Sequence, residues 1–172
     1  MDFARDNLHE ILIMSSINNK NILKVLGISI DSNFCFIMEL CQTDLNEWVK
    51  KYPFNKVDIL KILIGICNGL EELHKKDLAH RDLKPANIMI KDGEIKVGDL
   101  GLVSRIRRHD REHGMIGHSI MTTKAPLPGV GTLLYMSPEA VHRKIGTSAD
   151  VWATACIALY TITQTDPYVQ EI

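Results

Sequence analysis

Cysteine is scarce in this chain. The 172 residues hold four, Cys35, Cys41, Cys67 and Cys156, at spacings that fit no metal-ligand template. That excludes a zinc module and a disulfide-stapled scaffold, and it fits reduced thiols inside a cell. No secretory leader is read at the start of the sequence. Long apolar runs are also missing. The longest, 151–162, is broken by Thr154 and Thr161 and falls short of the roughly 20 residues a membrane helix needs. Charge of one sign is lacking too, since the net charge is -1. Whole-chain electrostatics therefore point to neither nucleic acid nor a membrane surface. Repeats and low-complexity tracts are absent.

What is present is ordinary for a folded protein. A hydrophobic share of 45% with 24% charged residues excludes disorder, and the length suits one domain. The periodicity predicts a helix over 6–17 and strands over 22–30 and 33–40, with a hairpin turn at Asp31-Ser32. Helices follow over 45–51 and 57–76. The second carries Ile59, Ile62, Leu63, Ile66, Leu70 and Leu73 on one broad face. Short apolar runs at 78–80, 88–90 and 95–97 read as strands, with a tight turn at Asp92-Gly93 between the last two. The stretch 104–128 is polar and aperiodic, and reads as a long loop. A short helix is expected over 138–141 and an apolar one over 150–163. The fold class is α+β, a fragment of a mixed sheet followed by a mostly helical body.

The chemistry gathers after the long helix. Asp82 and Asn87 lie five apart in His80-Arg81-Asp82-Leu83-Lys84-Pro85-Ala86-Asn87. Asp99 follows the next hairpin, in Gly98-Asp99-Leu100-Gly101. Two carboxylates and an amide oxygen brought together by such a hairpin make an oxygen-rich pocket, which suits the hard ion Mg²⁺. Lys84 adds a point charge that could reach a phosphate. Phosphoryl transfer asks for little more than these parts.

These runs resemble the catalytic loop and metal-binding motif of eukaryotic-type protein kinases, with Leu100 in place of the usual Phe. Gly131-Thr132 and Tyr135-Met136-Ser137-Pro138-Glu139 resemble the end of an activation segment, with Ser137 replacing Ala. Asp150-Val151-Trp152 resembles the central helix whose Asp braces the catalytic loop. The resemblance implies a kinase-like fold over 1–172, with 1–40 the remainder of the N-terminal lobe and 41–172 the hinge and part of the C-terminal lobe. It implies ATP and Mg²⁺ as cofactors. Asp82 would be the catalytic base, Lys84 would contact the transferred phosphate, and Asn87 and Asp99 would hold the metal. Met38 falls at the gatekeeper position and Glu39-Leu40-Cys41 at the hinge that pairs with adenine. Met89 is either the floor under the adenine ring or simply core. Glu10 matches the helix-C glutamate or is a solvated helix charge. Met14, Val25, His80 and Leu100 fall where the family stacks an apolar spine.

Lys84 and Thr132 are similar to the serine/threonine class, so a protein substrate with a Ser or Thr acceptor is expected, in the cytoplasm or nucleus. Resemblances to kinases of translation initiation factor 2 alpha and to NIMA-related kinases leave the subfamily open, and nothing fixes an oligomeric state. Arg81 would gather a phosphorylated residue, with Ser119, Thr122, Thr123 and Thr132 as candidates and Thr122 or Thr123 favoured. His109, His113 and His118 read as a hydrated basic loop rather than a metal site. No glycine-rich loop or Val-Ala-x-Lys strand occurs. Both are expected upstream in a longer product, and the chain by itself is expected to be a poor catalyst. An inactive kinase-like binding module is the alternative, and a small-molecule phosphotransferase the third reading.

Overall fold

Asn55 opens the longest helix by accepting the Val57 N–H on its side-chain oxygen at 2.9 Å, an N-cap that satisfies one of the free amides of the first turn. The computed structural model describes residues 15, 17–30, 34–52, 55–101, 103–105, 133–141 and 146–168. In order these form β1 (Val25–Ile30), β2 (Phe34–Met38), β3 (Thr43–Asp44), α1 (Leu45–Lys51) and α2 (Lys56–Lys75). Then come β4 (Leu78–Ala79), a 3₁₀ turn (Pro85–Asn87), β5 (Ile88–Lys91), β6 (Glu94–Val97), β7 (Ser104–Arg105), α3 (Pro138–Val141) and α4 (Thr147–Thr163). The mixture is α+β, as expected.

Three small antiparallel sheets result, β1–β2, β3–β5–β6 and β4–β7. Register in β1–β2 runs from Ile30↔Phe34 to Val25↔Met38 and slips between Val25 and Gly27. The larger of two core clusters among the described residues joins most of the elements. Ile62, Ile66, Leu70 and Leu73 of α2 meet Ile88, Ile95 and Val97 of the β5–β6 hairpin, and Ile157 and Tyr160 of α4. Each large aliphatic side chain so buried contributes about 1.5–3 kcal/mol.

Two glycines let α2 lie directly on β6. A Cβ at Gly65 would stand 2.5 Å from Ile95 Cβ, and one at Gly69 would stand 2.7 Å from the Asn21 carbonyl oxygen. Asn21 is buried and donates from Nδ2 to the Ile95 carbonyl at 2.7 Å. The helix, the 21–23 segment and β6 are thereby locked at one point.

Several boundaries differ from expectation. The strand expected from residue 22 begins at Val25. Ile22 and Leu23 pair instead with Val97, through Leu23 N to Val97 O at 2.9 Å and Val97 N to Asn21 O at 2.8 Å. These apolar residues dock on the hairpin rather than extend β1. The helix expected over 150–163 begins a turn earlier, at Thr147 after Gly146, so Asp150 sits inside the first turn. Its threonines do not interrupt it. Thr154 and Thr161 each donate to the carbonyl four residues back, at 2.8 and 2.7 Å, which satisfies a hydroxyl inside an apolar helix. Ser104 and Arg105, expected in a loop, form β7 against β4. The two-residue β3 was not foreseen, being too short to show a period.

The helix expected over 6–17 falls almost wholly outside the described residues. So do Glu10, Met14, the turn at 31–32, His109, His113, His118, Ser119, Thr122, Thr123 and Thr132. No helix of the described residues is long and apolar enough to cross a membrane.

Candidate active site

The loop after β4 is built around one buried carboxylate. Asp150, 1% exposed, accepts the His80 N–H on Oδ2 and the Arg81 N–H on Oδ1, both at 2.9 Å. His74 Nε2 lies 2.8 Å from the same Oδ2. The His80 ring is fully buried and sits 2.9 Å from the Gly98 carbonyl, tying the loop to the segment before Asp99. Arg81 takes φ 73°. Burial draws its pKa below the usual arginine value, opposed by the charge of Asp150.

This frame presents Asp82, Lys84 and Asn87 together. Lys84 Nζ donates to Asp82 Oδ2 at 2.8 Å. Asn87 Nδ2 donates to the Asp82 carbonyl at 2.8 Å and to Oδ2 at 3.1 Å. The other carboxylate oxygen, Asp82 Oδ1, is buried and has no partner among the described residues. A buried acceptor left open costs free energy unless some donor comes to it. Pro85 at the head of the 3₁₀ turn presets the backbone that swings Asn87 back onto Asp82.

Asp99 adjoins this cluster through the backbone, since Gly98 N donates to the Asn87 carbonyl at 2.8 Å. Its side chain is exposed, its φ is 53°, and Oδ1 lies 3.4 Å from the Gly101 N–H. Leu100 is buried in the core, as is His80, and Val25 packs partly buried against it. Met89 is half-buried, and its Cγ would be 3.4 Å from a Cβ at Gly98. Met89 therefore lies over the glycine that precedes Asp99.

The residues expected at a hinge lie beside that hairpin. Met38 ends β2 and is 44% exposed. Glu39 N donates to the Lys24 carbonyl at 3.0 Å and Gln42 N to the Ile90 carbonyl at 3.0 Å. Cys41 Sγ is 4.0 Å from the Glu39 carbonyl. Its thiol is pushed up in pKa by burial and by the charge of Glu39. The Glu39 carboxylate meets Lys91 at 2.8 Å, Lys96 at 2.9 Å and the Lys24 N–H at 2.9 Å. Burial raises its pKa, but these donors outweigh that and hold it down at about 2.

Ser137 occupies the position where Ala was the expected residue. It is fully buried, and its Oγ lies 3.3 Å from the Ala140 N–H, a capping contact at the head of α3. Glu139 Oε1 accepts from Ser148 Oγ at 3.2 Å, so a hydroxyl of α4 holds it. The sequence reading missed Gln42, Lys91 and Lys96. For Lys91 and Lys96 the signal was present as alternation. Met89, Lys91, Glu94 and Lys96 share one face of the hairpin by register, while Ile88, Ile95 and Val97 are buried on the other. Among the described residues no group of three or more His, Cys, Asp or Glu forms a metal cluster.

A family model described as "Protein kinase domain" matches residues 2–172. The chain belongs to the protein kinase family. It is similar to human serine/threonine-protein kinase Nek11, 31% identical over 156 residues, 86% of this chain and 22% of that protein. It is similar to serine/threonine-protein kinase PLK4 of Drosophila virilis, 31% identical over 161 residues, 89% of this chain and 19% of that protein. Calcium-dependent protein kinase 6 of Plasmodium berghei is 30% identical over 165 residues, 92% of this chain and 10% of that protein. The chain thus spans between about a tenth and just over a fifth of the length of these relatives.

Proposed function

We propose that this kinase domain carries the catalytic loop, metal pair and hinge of a protein kinase that phosphorylates Ser or Thr hydroxyls. The observation that carries the reading is the asymmetry of Asp82. Oδ2 is taken by Lys84 and Asn87, while buried Oδ1 has no partner among the described residues. A serine or threonine hydroxyl is a donor of the kind that oxygen lacks. Bound there, it would be oriented by Asp82 for attack on the γ-phosphorus. As the new oxygen–phosphorus bond forms and the bond to the bridging oxygen of ADP breaks, the hydroxyl proton passes to Oδ1.

Magnesium-bound ATP would supply the electrophilic phosphorus and a divalent charge that offsets the phosphates. The residues present fit that group. The Asp99 carboxylate is exposed, and the hydrogen bonds of the Asn87 side chain to Asp82 use its amide nitrogen, so both residues offer hard oxygens. Lys84 lies where it can shift from Asp82 toward a phosphate oxygen. The hinge segment 39–41 and Met89 would hold the adenine, and Thr132 would face the acceptor.

The test is transfer of label from γ-³²P-ATP by the protein encoded by the full transcript, and by its Asp82→Asn variant. Label in a serine/threonine protein substrate, reduced about 10²–10⁴-fold by the substitution, is expected. Label in small metabolites only, or label indifferent to Asp82→Asn, would overturn the reading.

A further inference from the structure

The hinge is held from the side by the hairpin beneath it. Glu39 receives three donors from three places, Lys24 just before β1, Lys91 on β5 and Lys96 on β6. Its side chain is 10% exposed and that of Lys96 is 12% exposed. Lys96 Nζ also donates to the Lys20 carbonyl at 3.0 Å, so the same cation grips the segment leading into β1. Three residues on, Gln42 and Asp92 clasp each other, through Gln42 Nε2 to Asp92 Oδ1 at 2.6 Å and Asp92 N to Gln42 Oε1 at 2.9 Å. Both ends of the 39–42 segment are thereby fixed to the hairpin that carries Met89.

We infer that Glu39, seconded by Gln42, is a positioning residue that sets the hinge backbone in register with Met89 for adenine. The inference rests on the kinase reading above and adds to it a role for side chains. Only the backbone of the hinge would meet the base, so the carboxylate acts through it. Surface ion pairs count for little, but this one is shielded, has both oxygens occupied, and faces the nearly buried Lys96, which without it would keep the neutral Lys20 carbonyl and no carboxylate among the described residues. Four parallel attachments to one hairpin leave the hinge a single arrangement, which removes the ordering cost from nucleotide binding.

The experiment uses the protein encoded by the full transcript and its Glu39→Gln and Gln42→Ala variants. Affinities are measured for magnesium ATP and for magnesium tripolyphosphate, which has the phosphates without the base. Glu39→Gln is expected to weaken ATP binding roughly tenfold and to leave tripolyphosphate unchanged. Gln42 is exposed, so Gln42→Ala serves if the first variant fails to fold, with a smaller loss of roughly threefold expected. Amide hydrogen exchange without nucleotide is read alongside. Residues 39–42 should exchange faster in Glu39→Gln while α2 stays protected. Unchanged hinge exchange, or equal weakening of both ligands, would overturn the inference alone. A wild-type chain that binds tripolyphosphate but not ATP would overturn the adenine role. One that binds neither would overturn the kinase reading itself.

Discussion

Asp150 holds Arg81 in the left-handed region of backbone space. The Arg81 N–H donates to Asp150 Oδ1 at 2.9 Å while φ at Arg81 is 73°. A non-glycine residue in this conformation costs of order 1–3 kcal/mol and persists only where its surroundings impose it. Here the surroundings are a helix, α4, that comes from 69 residues further along the chain. The strain turns the backbone between buried His80 and Asp82, so a distant helix sets the direction of the proposed base.

Asp150→Asn should therefore act at a distance. The amide keeps one acceptor but places an NH₂ near the His80 N–H and His74, leaving buried donors facing each other. A loss of about 2–4 kcal/mol is expected, since a buried charged acceptor serves at least two N–H groups. That corresponds to a melting temperature lower by roughly 5–15 °C at this size. A thermal melt checks it, and an unchanged midpoint would mean that Asp150 is not what holds the loop.

Glu39 gives the fold a particular response to acid. Its folded pKa lies at about 2 against an ordinary 4.5. A depressed carboxylate contributes stability that is complete above the unfolded value and is lost as pH falls through the folded one. The window is therefore between pH 4.5 and about 2. Glu39→Gln should be less stable than the parent at neutral pH, with the two denaturation midpoints converging as that window is crossed. Parallel curves across it would show that the carboxylate carries no pH-linked stability.

Gly69→Ala tests the contact that locks α2 to the rest. In an exposed helix interior this change gains up to about 1 kcal/mol. Here the new Cβ would stand 2.7 Å from the Asn21 carbonyl oxygen and 3.0 Å from Val97 Cγ2. That carbonyl already accepts from Val97 N at 2.8 Å, so backbone must move. Overpacking of this kind costs about 1–3 kcal/mol, and the net effect should be destabilising. A higher denaturant midpoint for Gly69→Ala would refute the close approach.

Much of this was legible beforehand where a residue's own neighbours decide its state. The apolar stripe of α2 and the Asp92-Gly93 turn carry local signals and land as expected. The short spacing from Asp82 to Asn87 brings those two side chains together, while the Asp99 side chain stays exposed. The misses share a cause, which is pairing across long separations. Nothing local tells Ile22 and Leu23 to leave β1 for Val97, 75 residues from Ile22 by sequence. Nor does anything local show that Glu39 will meet Lys91, 52 residues on.

Asn87 and Asp99 should separate holding the loop from holding a metal. Asn87 donates twice to Asp82, at 2.8 and 3.1 Å, and is buried. Asn87→Ala should cost about 1–3 kcal/mol of stability, because two acceptors on Asp82 lose their donor. Asp99 is exposed, and among the described residues its side chain makes one long contact, to Gly101 N at 3.4 Å. Its φ of 53° is one that Asn tolerates as readily as Asp. Asp99→Asn should therefore change stability by less than about 0.5 kcal/mol. Yet it removes a charge that a hard divalent ion would need, so the gain in nucleotide affinity on adding Mg²⁺ should fall roughly tenfold or more. Isothermal titration with and without Mg²⁺ reads this directly. If Asp99→Asn kept the full gain, the metal would have to be held elsewhere, and the Asn87–Asp99 pairing would fall with it.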